Sequence, residues 1–124
     1  MNLWRLKMAS PAVKVADVAF NKAQILAAAE EAAAEGVKIL AFPELFLTAY
    51  TCGDLFGNRT LIKAAKKALT ELAEELPEDM LTIVGAPLVI DGSLYNCAVC
   101  YAGGEIVSVF TKTFLPEYEG IAQL

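Results

Sequence analysis

Glu44 and Lys112 are the two residues whose type and position in this sequence could carry acid–base chemistry. Glu44 follows Val37-Lys-Ile-Leu-Ala-Phe42, a short apolar run after Gly36 that reads as a buried strand. Pro43 ends that strand, because it offers no ladder N–H. The carboxylate is therefore expected just past a strand's carboxyl end, beside Leu45, Phe46 and Leu47. In such surroundings it needs a partner or a raised pKa. Open α/β folds hold their ligands in the crevice outside the carboxyl ends of strands. The alternative is a half-exposed Glu that caps the next turn. Lys112 comes 68 residues later (112 − 44), at the end of the strand-like run Glu105 to Thr111. If the two strands are neighbours, the charges meet at one sheet edge. An ionised carboxylate there can take a proton from a third group, and the ammonium can stabilise a developing oxyanion. The alternative for Lys112 is a solvated lysine at a strand end.

The pair needs a nucleophile, and the sequence does not supply an obvious one. Cys52 is close to Glu44 in sequence, but free cysteines are mostly buried packing residues. Cys97 and Cys100 fall within one predicted strand, and a spacing of three puts them on opposite faces, so they cannot form a redox or metal pair there. Histidine is absent from the chain, which removes Ser-His-Asp and Cys-His chemistry and most zinc sites from this segment. The base must be a carboxylate, Lys, Tyr or thiolate.

The elements that position these residues can be read in order. Leu3 to Met8 alternates well enough for an opening strand, and Ser10-Pro11 ends it. Asp17 to Asn21 reads as a turn, with Asn21 as N-cap of a helix from Lys22 to Glu35. Ile25, Leu26, Ala29, Ala32 and Ala33 share one face of it, and Gly36 stops it. The Val37–Phe42 strand follows. A second helix runs from about Arg59 to Leu76, with Leu61, Ile62, Ala65, Leu69, Leu72, Ala73 and Leu76 as its apolar stripe. Lys66 and Lys67 read as solvated charge. The period then changes to two. Leu81 to Ile90 is a strand in which Gly85-Ala-Pro87 marks a bulge or a close backbone approach. Asp91-Gly92 is a hairpin turn, Leu94 to Ala102 the return strand, Gly103-Gly104 a second turn and Glu105 to Thr111 the last strand. The order β-α-β-α-β-β-β predicts an α/β fold: a mixed sheet with helices on one face. No repeat, linker or domain boundary is visible in residues 1–124.

Apolar residues make up 56% of the chain, roughly 60% when Gly replaces Tyr in the tally, against about 45–50% in ordinary domains, and mean hydropathy is +0.48. A small free-standing globule should be more polar. The excess predicts a piece of a larger body or a homo-oligomer that hides surface. A net charge of −5 argues against nucleic acid and against an anionic membrane surface. The uncharged runs are too short to span a bilayer, and residues 1–7 lack the apolar core of a signal peptide. Three cysteines without a metal-type pattern make a reducing cytoplasm the default expectation.

Several linked motifs resemble one family. Phe42-Pro-Glu-Leu45 with Leu47-Thr-Ala-Tyr-Thr-Cys-Gly-Asp-Leu-Phe56 resembles the catalytic-Glu segment of the nitrilase, or carbon–nitrogen hydrolase, superfamily. Its extended form is similar to that of glutamine-dependent NAD synthetases. Val84-Gly-Ala-Pro87, Leu94-Tyr-Asn-Cys-Ala98 and Thr111-Lys-Thr-Phe-Leu-Pro-Glu-Tyr118 continue the likeness in order, over nearly all of residues 3–118. The resemblance implies an α-β-β-α sandwich and a Glu-Lys-Cys triad. It makes Glu44 the general base, Lys112 the oxyanion-stabilising lysine and Tyr118 a contact to the glutamine substrate. It also implies that a cysteine attacks the glutamine amide, ammonia leaves, and water clears the thioester. A separate ATP- and magnesium-using domain would then amidate nicotinic acid adenine dinucleotide to NAD.

The sequence also departs from that pattern. The family's nucleophilic cysteine lies well beyond the lysine, and Cys52, Cys97 and Cys100 match none of its motif. Glu119-Gly-Ile-Ala-Gln-Leu124 does not continue in the Arg-Glu-Phe-Tyr-Glu manner, so a second active-site carboxylate is not seen, and Ala49 replaces the more usual glycine. The expectation is the N-terminal portion of a glutaminase domain, without the nucleophile, the synthetase domain or any cofactor of its own, and inactive alone. Two other readings stand beside it. One is another amidase of the same superfamily. The other is a non-catalytic paralogue that self-associates through a sheet face.

Overall fold

The computed structural model describes residues 5–48 and 59–114. Strand β1 (Leu6–Met8) leads through a turn to helix α1 (Val18–Ala34), and strand β2 (Ile39–Ala41) follows. A short 3-10 turn covers Phe46–Thr48. Helix α2 (Arg59–Glu75) comes next, and then three ten-residue strands, β3 (Leu81–Ile90), β4 (Ser93–Ala102) and β5 (Glu105–Phe114). They form one five-stranded sheet in the order β1-β2-β3-β4-β5. The first two pairings are parallel and the last two antiparallel. This is the mixed α/β sheet that the period changes predict.

The helix starts a turn earlier than expected, and its cap is a different residue. Asp17, not Asn21, is the N-cap: its carboxylate accepts the Phe20 N–H at 3.0 Å. Asn21 lies inside α1 and is fully buried. Its Nδ2 donates to the Lys14 carbonyl at 2.8 Å and the Leu47 carbonyl at 3.0 Å, while its Oδ1 accepts the Lys14 N–H at 2.8 Å. A side chain with that much tertiary bonding outweighs its local preference for a cap. Gly36, at φ +80, ends α1 as expected.

Parallel crossovers of one hand in one direction put both helices on the same side of the sheet. Ile25, Ala29 and Ala32 of α1 share one core with Leu40, Val84, Val99 and the α2 residues Leu61, Ala65, Leu69 and Leu72. Tyr101 of β4 donates its hydroxyl to the Leu69 carbonyl at 2.6 Å, fixing α2 over that face. Lys22 of α1 bridges Glu71 at 3.1 Å and Glu75 at 2.6 Å on α2. The hairpin turns use the left-handed backbone that Asp-Gly and Gly-Gly tolerate: Asp91 and Gly92 at φ +51 and +81, Gly103 and Gly104 at +62 and +80.

Among the described residues, no helix packs on the other face. Register aligns Met8, Ala41, Ile83, Cys100 and Ser108 in one cross-strand row, with Leu6, Ile39 and Leu81 in the next. Leu6, Met8 and Phe110 are 65%, 69% and 58% exposed.

Candidate active site

The stretch after β2 is built to present Glu44. Phe42 still belongs to the sheet, its N–H donating to the Ile83 carbonyl at 3.0 Å. The chain then turns tightly, the Phe46 N–H returning to the Pro43 carbonyl at 3.3 Å, with Glu44 and Leu45 at the corner. Leu45 adopts φ +53, a left-handed conformation that costs a leucine about 1–3 kcal/mol and persists only where packing imposes it. The packing is present: Leu45 is buried against Ile62 and Leu94. Asn21 holds the far side of the turn through the Leu47 carbonyl, and the Ala16 N–H bonds the Thr48 carbonyl at 3.0 Å.

The turn passes directly over Gly85 of β3. A Cβ at that position would lie 2.6 Å from the Leu45 nitrogen, 2.7 Å from the Pro43 oxygen and 2.9 Å from the Glu44 Cα. The Gly85-Ala-Pro87 signal is thus a close backbone approach. The β3–β4 register runs without a break there, so no bulge accompanies it.

Glu44 and Lys112 meet. Lys112 Nζ lies 3.0 Å from Glu44 Oε1. The route differs from the expected one, because β2 and β5 are not neighbours: β3 and β4 lie between them. The turn carries Glu44 across Gly85 towards β4 and β5 instead. Lys112 also lies inside β5 and not past its end. Asn96 pairs with Thr113 and Cys97 with Thr111, so the register slips at Lys112 and leaves it unpaired. Such a slip re-aims a side chain. On a regular strand, Lys112 and Thr113 would point to opposite faces. Here both converge on the same group of atoms. Asn96 Nδ2 donates to Glu44 Oε2 at 3.3 Å and to Thr113 Oγ1 at 3.1 Å.

The Glu44 side chain is 59% exposed and that of Lys112 47%. The carboxylate is therefore neither stranded in apolar surroundings nor protonated. The Lys112 ammonium, by hydrogen bond and then by charge, with a further hydrogen bond from Asn96, holds its carboxyl below the usual range. A depression of about 320 Å³, lined by Ser10, Pro11, Val13, Val15, Pro43, Glu44 and Phe46, opens beside it. An ionised carboxylate open to solvent can accept a proton, and the ammonium beside it can stabilise an oxyanion at the same place.

The other expected participants divide. Cys97 and Cys100 are buried free thiols whose pKa burial pushes up, so they are inert packing residues. Tyr118 and Cys52 lie outside the described residues. Asn96 was not singled out for chemistry in the sequence. Its only signal was its place inside the Leu94–Ala98 motif. Among the described residues, no group of three metal-capable side chains comes together and no helix is long and apolar enough to cross a membrane.

A mixed α/β sheet thus presents a Glu–Lys ion pair at the turn beyond β2, an arrangement suited to acid–base chemistry. The carbon–nitrogen hydrolase family model matches residues 6–123, and the chain belongs to that family. It is 33% identical over 105 residues to the glutamine-dependent NAD(+) synthetase of Mycobacterium tuberculosis, covering 84% of this chain and 16% of that protein. The enzyme of the same description from Aquifex aeolicus is 34% identical over 105 residues, covering 84% and 18%. The crystal structure of a glutamine-dependent NAD(+) synthetase from Cytophaga hutchinsonii superposes with a TM-score of 0.82 at 33% identity, covering 90% of this chain and 19% of that one. An amidase from Nesterenkonia shares the fold at a TM-score of 0.73 and 19% identity, over 94% and 46%. The chain thus spans about a fifth or less of the length of the synthetases it matches.

Proposed function

We propose that this chain is the opening portion of a glutaminase domain that releases ammonia from glutamine, within an enzyme that amidates nicotinic acid adenine dinucleotide to NAD. The observation that carries this reading is the 3.0 Å Glu44–Lys112 pair, reached by a turn crossing Gly85. Glu44 is the general base and Lys112 the oxyanion partner. A cysteine thiol supplied from beyond these residues gives its proton to Glu44, and the thiolate attacks the amide carbon. Lys112 stabilises the oxyanion of the tetrahedral intermediate. When that intermediate collapses, the C–N bond breaks and the leaving nitrogen takes the proton from Glu44, departing as ammonia. Water, deprotonated by Glu44, then cleaves the thioester to glutamate and restores the thiol. Tyr118 contacts the glutamine. ATP and magnesium belong to a separate synthetase domain, and the unpaired thiols suit the cytoplasm.

The test is glutamate and ammonia release by a longer protein that joins this segment to its cysteine-bearing continuation, with short aliphatic and N-carbamoyl amides alongside. Glutamine turnover should fall about 10²–10³-fold on Lys112→Ala and about 10²–10⁴-fold on Glu44→Gln. Preference for a short amide over glutamine would favour another amidase of the superfamily. The 124-residue chain alone should release ammonia no faster than its Glu44→Gln variant. Ammonia release that depends on Glu44 in that chain would refute the assignment of the nucleophile elsewhere.

A second reading rests on the open sheet face, where Leu6, Met8 and Phe110 are exposed. Exposed apolar side chains at both edges of one sheet face favour self-association, and we propose a homo-oligomer of the chain through it. Sedimentation should show an assembly that Phe110→Glu dissolves. A monomer at high concentration would end this reading.

A further inference from the structure

Asn96 is only 3% exposed, and its amide is used in one direction. Its side-chain Nδ2 donates to Glu44 Oε2 at 3.3 Å and to Thr113 Oγ1 at 3.1 Å. Its Oδ1 is buried and has no partner among the described residues. Turning the amide over would not help, since Oδ1 would then face a carboxylate oxygen, acceptor against acceptor. A buried acceptor left unmatched is an expense that needs a reason. The reason here lies at the other end of the amide.

Resting on the reading of Glu44 as the general base, we propose that Asn96 is a positioning residue for that carboxylate. Its N–H holds Oε2 while Lys112 holds Oε1, so the plane of the carboxylate is set by two donors from two different strands. Thr113 anchors the amide from β5, one residue from Lys112. The register slip at Lys112 lets Lys112 reach the carboxylate directly while its neighbour Thr113 acts on it through Asn96. A single donor would leave the carboxylate free to rotate about it. With two donors, the remaining lone pairs have fixed directions, which is what a proton acceptor in a defined geometry requires. Because glutamate side chains are long and this one is largely exposed, such a clamp replaces the packing that would hold a buried base.

The experiment follows the Glu44 side-chain carboxyl carbon by NMR over a pH series in the ¹³C-labelled 124-residue chain, with thermal unfolding of each variant. Asn96→Leu should raise the Glu44 midpoint towards the ordinary carboxylate range. It should leave the melting temperature unchanged or higher, since leucine fills similar volume without an unmatched acceptor. A purely structural asparagine would give the opposite pattern, a lower melting temperature and an unmoved midpoint, and that result overturns the proposal. Asn96→Asp, which places a like charge against Glu44, should raise the midpoint further. Thr113→Val should raise it less than Asn96→Leu. If Asn96→Leu does not fold, an unmoved midpoint in both of these variants refutes the clamp. Lys112→Met separates the clamp from the function beneath it. A midpoint that rises in Lys112→Met but not in Asn96→Leu sinks the role of Asn96 and spares the pair. A midpoint unmoved in both sinks the pair as well.

Discussion

Gly85→Ala tests the geometry of the site at its narrowest point. The new methyl would lie 2.6 Å from the Leu45 nitrogen, and ordinary van der Waals contact begins near 3.4 Å, so the backbone of the Glu44 turn must retreat by about 0.8 Å. The atoms it meets are backbone and cannot rotate away. Overpacking of this kind costs about 1–3 kcal/mol, or a melting temperature lower by about 4–12 °C in a chain of this size. Along the Glu44–Lys112 line, the same displacement takes the 3.0 Å contact to about 3.8 Å, beyond hydrogen-bond reach. Calorimetry reads the first effect, and the Glu44 carboxyl titration, moving up towards its ordinary range, reads the second. In a complete enzyme, a misplacement near 1 Å costs on the order of 10² in turnover. Gly36→Ala is the control. Gly36 sits at φ +80 with no atom within 4 Å of the added methyl, so the substitution costs about 1–2 kcal/mol of backbone strain and leaves Glu44 untouched. A Gly85→Ala protein with the wild-type melting temperature and the wild-type Glu44 midpoint would refute the close approach and the argument built on it.

Three further outcomes are expected. The folded-state pKa of Glu44 lies below its unfolded value, so its ionised form contributes stability above the unfolded pKa and loses it as pH falls through the folded one. Glu44→Gln should therefore shallow the acid limb of the melting-temperature profile, by a small amount given the exposure of the side chain. Asn21→Leu strands the Lys14 N–H and the Leu47 carbonyl, the Lys14 carbonyl keeping the Asp17 N–H, and should cost about 1–3 kcal/mol in urea unfolding while loosening the Glu44 turn. Tyr101→Phe removes the donor to Leu69 and should cost about 1 kcal/mol. Burial pushes the Tyr101 phenol well above its ordinary value. That raised value contributes stability present below the unfolded pKa and lost as pH rises, so Tyr101→Phe should also flatten the alkaline limb.

Much of the chemistry here depends on where the turn after β2 goes. A Glu at the end of a parallel strand faces the crevice of the sheet, but two strands, β3 and β4, separate β2 from β5. Only a glycine at position 85 lets the main chain cross that gap. Only an unpaired residue in β5 lets Lys112 and Thr113 serve one carboxylate. Neither feature is a property of the two charged residues themselves.

The elements were legible because they follow from local physics. The 3.6-residue stripe of α2, the period-two runs of β3 to β5, and Asp91-Gly92 and Gly103-Gly104 at left-handed turns all depend on neighbours within a few residues. Position 85 could be marked from its glycine, and Glu44 and Lys112 from their types beside strand ends. The sequence alone therefore determined the α/β class, the turn positions and the two charges. It did not determine that Asp17 would cap α1 while Asn21 was drawn inside, because bonds to Lys14 and Leu47 link segments 7 and 26 residues away. Nor could it place Asn96 behind Glu44, 52 residues distant in sequence. Pairing register and backbone crossing are decided between segments, when sheet and turn pack together. They brought one acid, one amine and one amide to a single point.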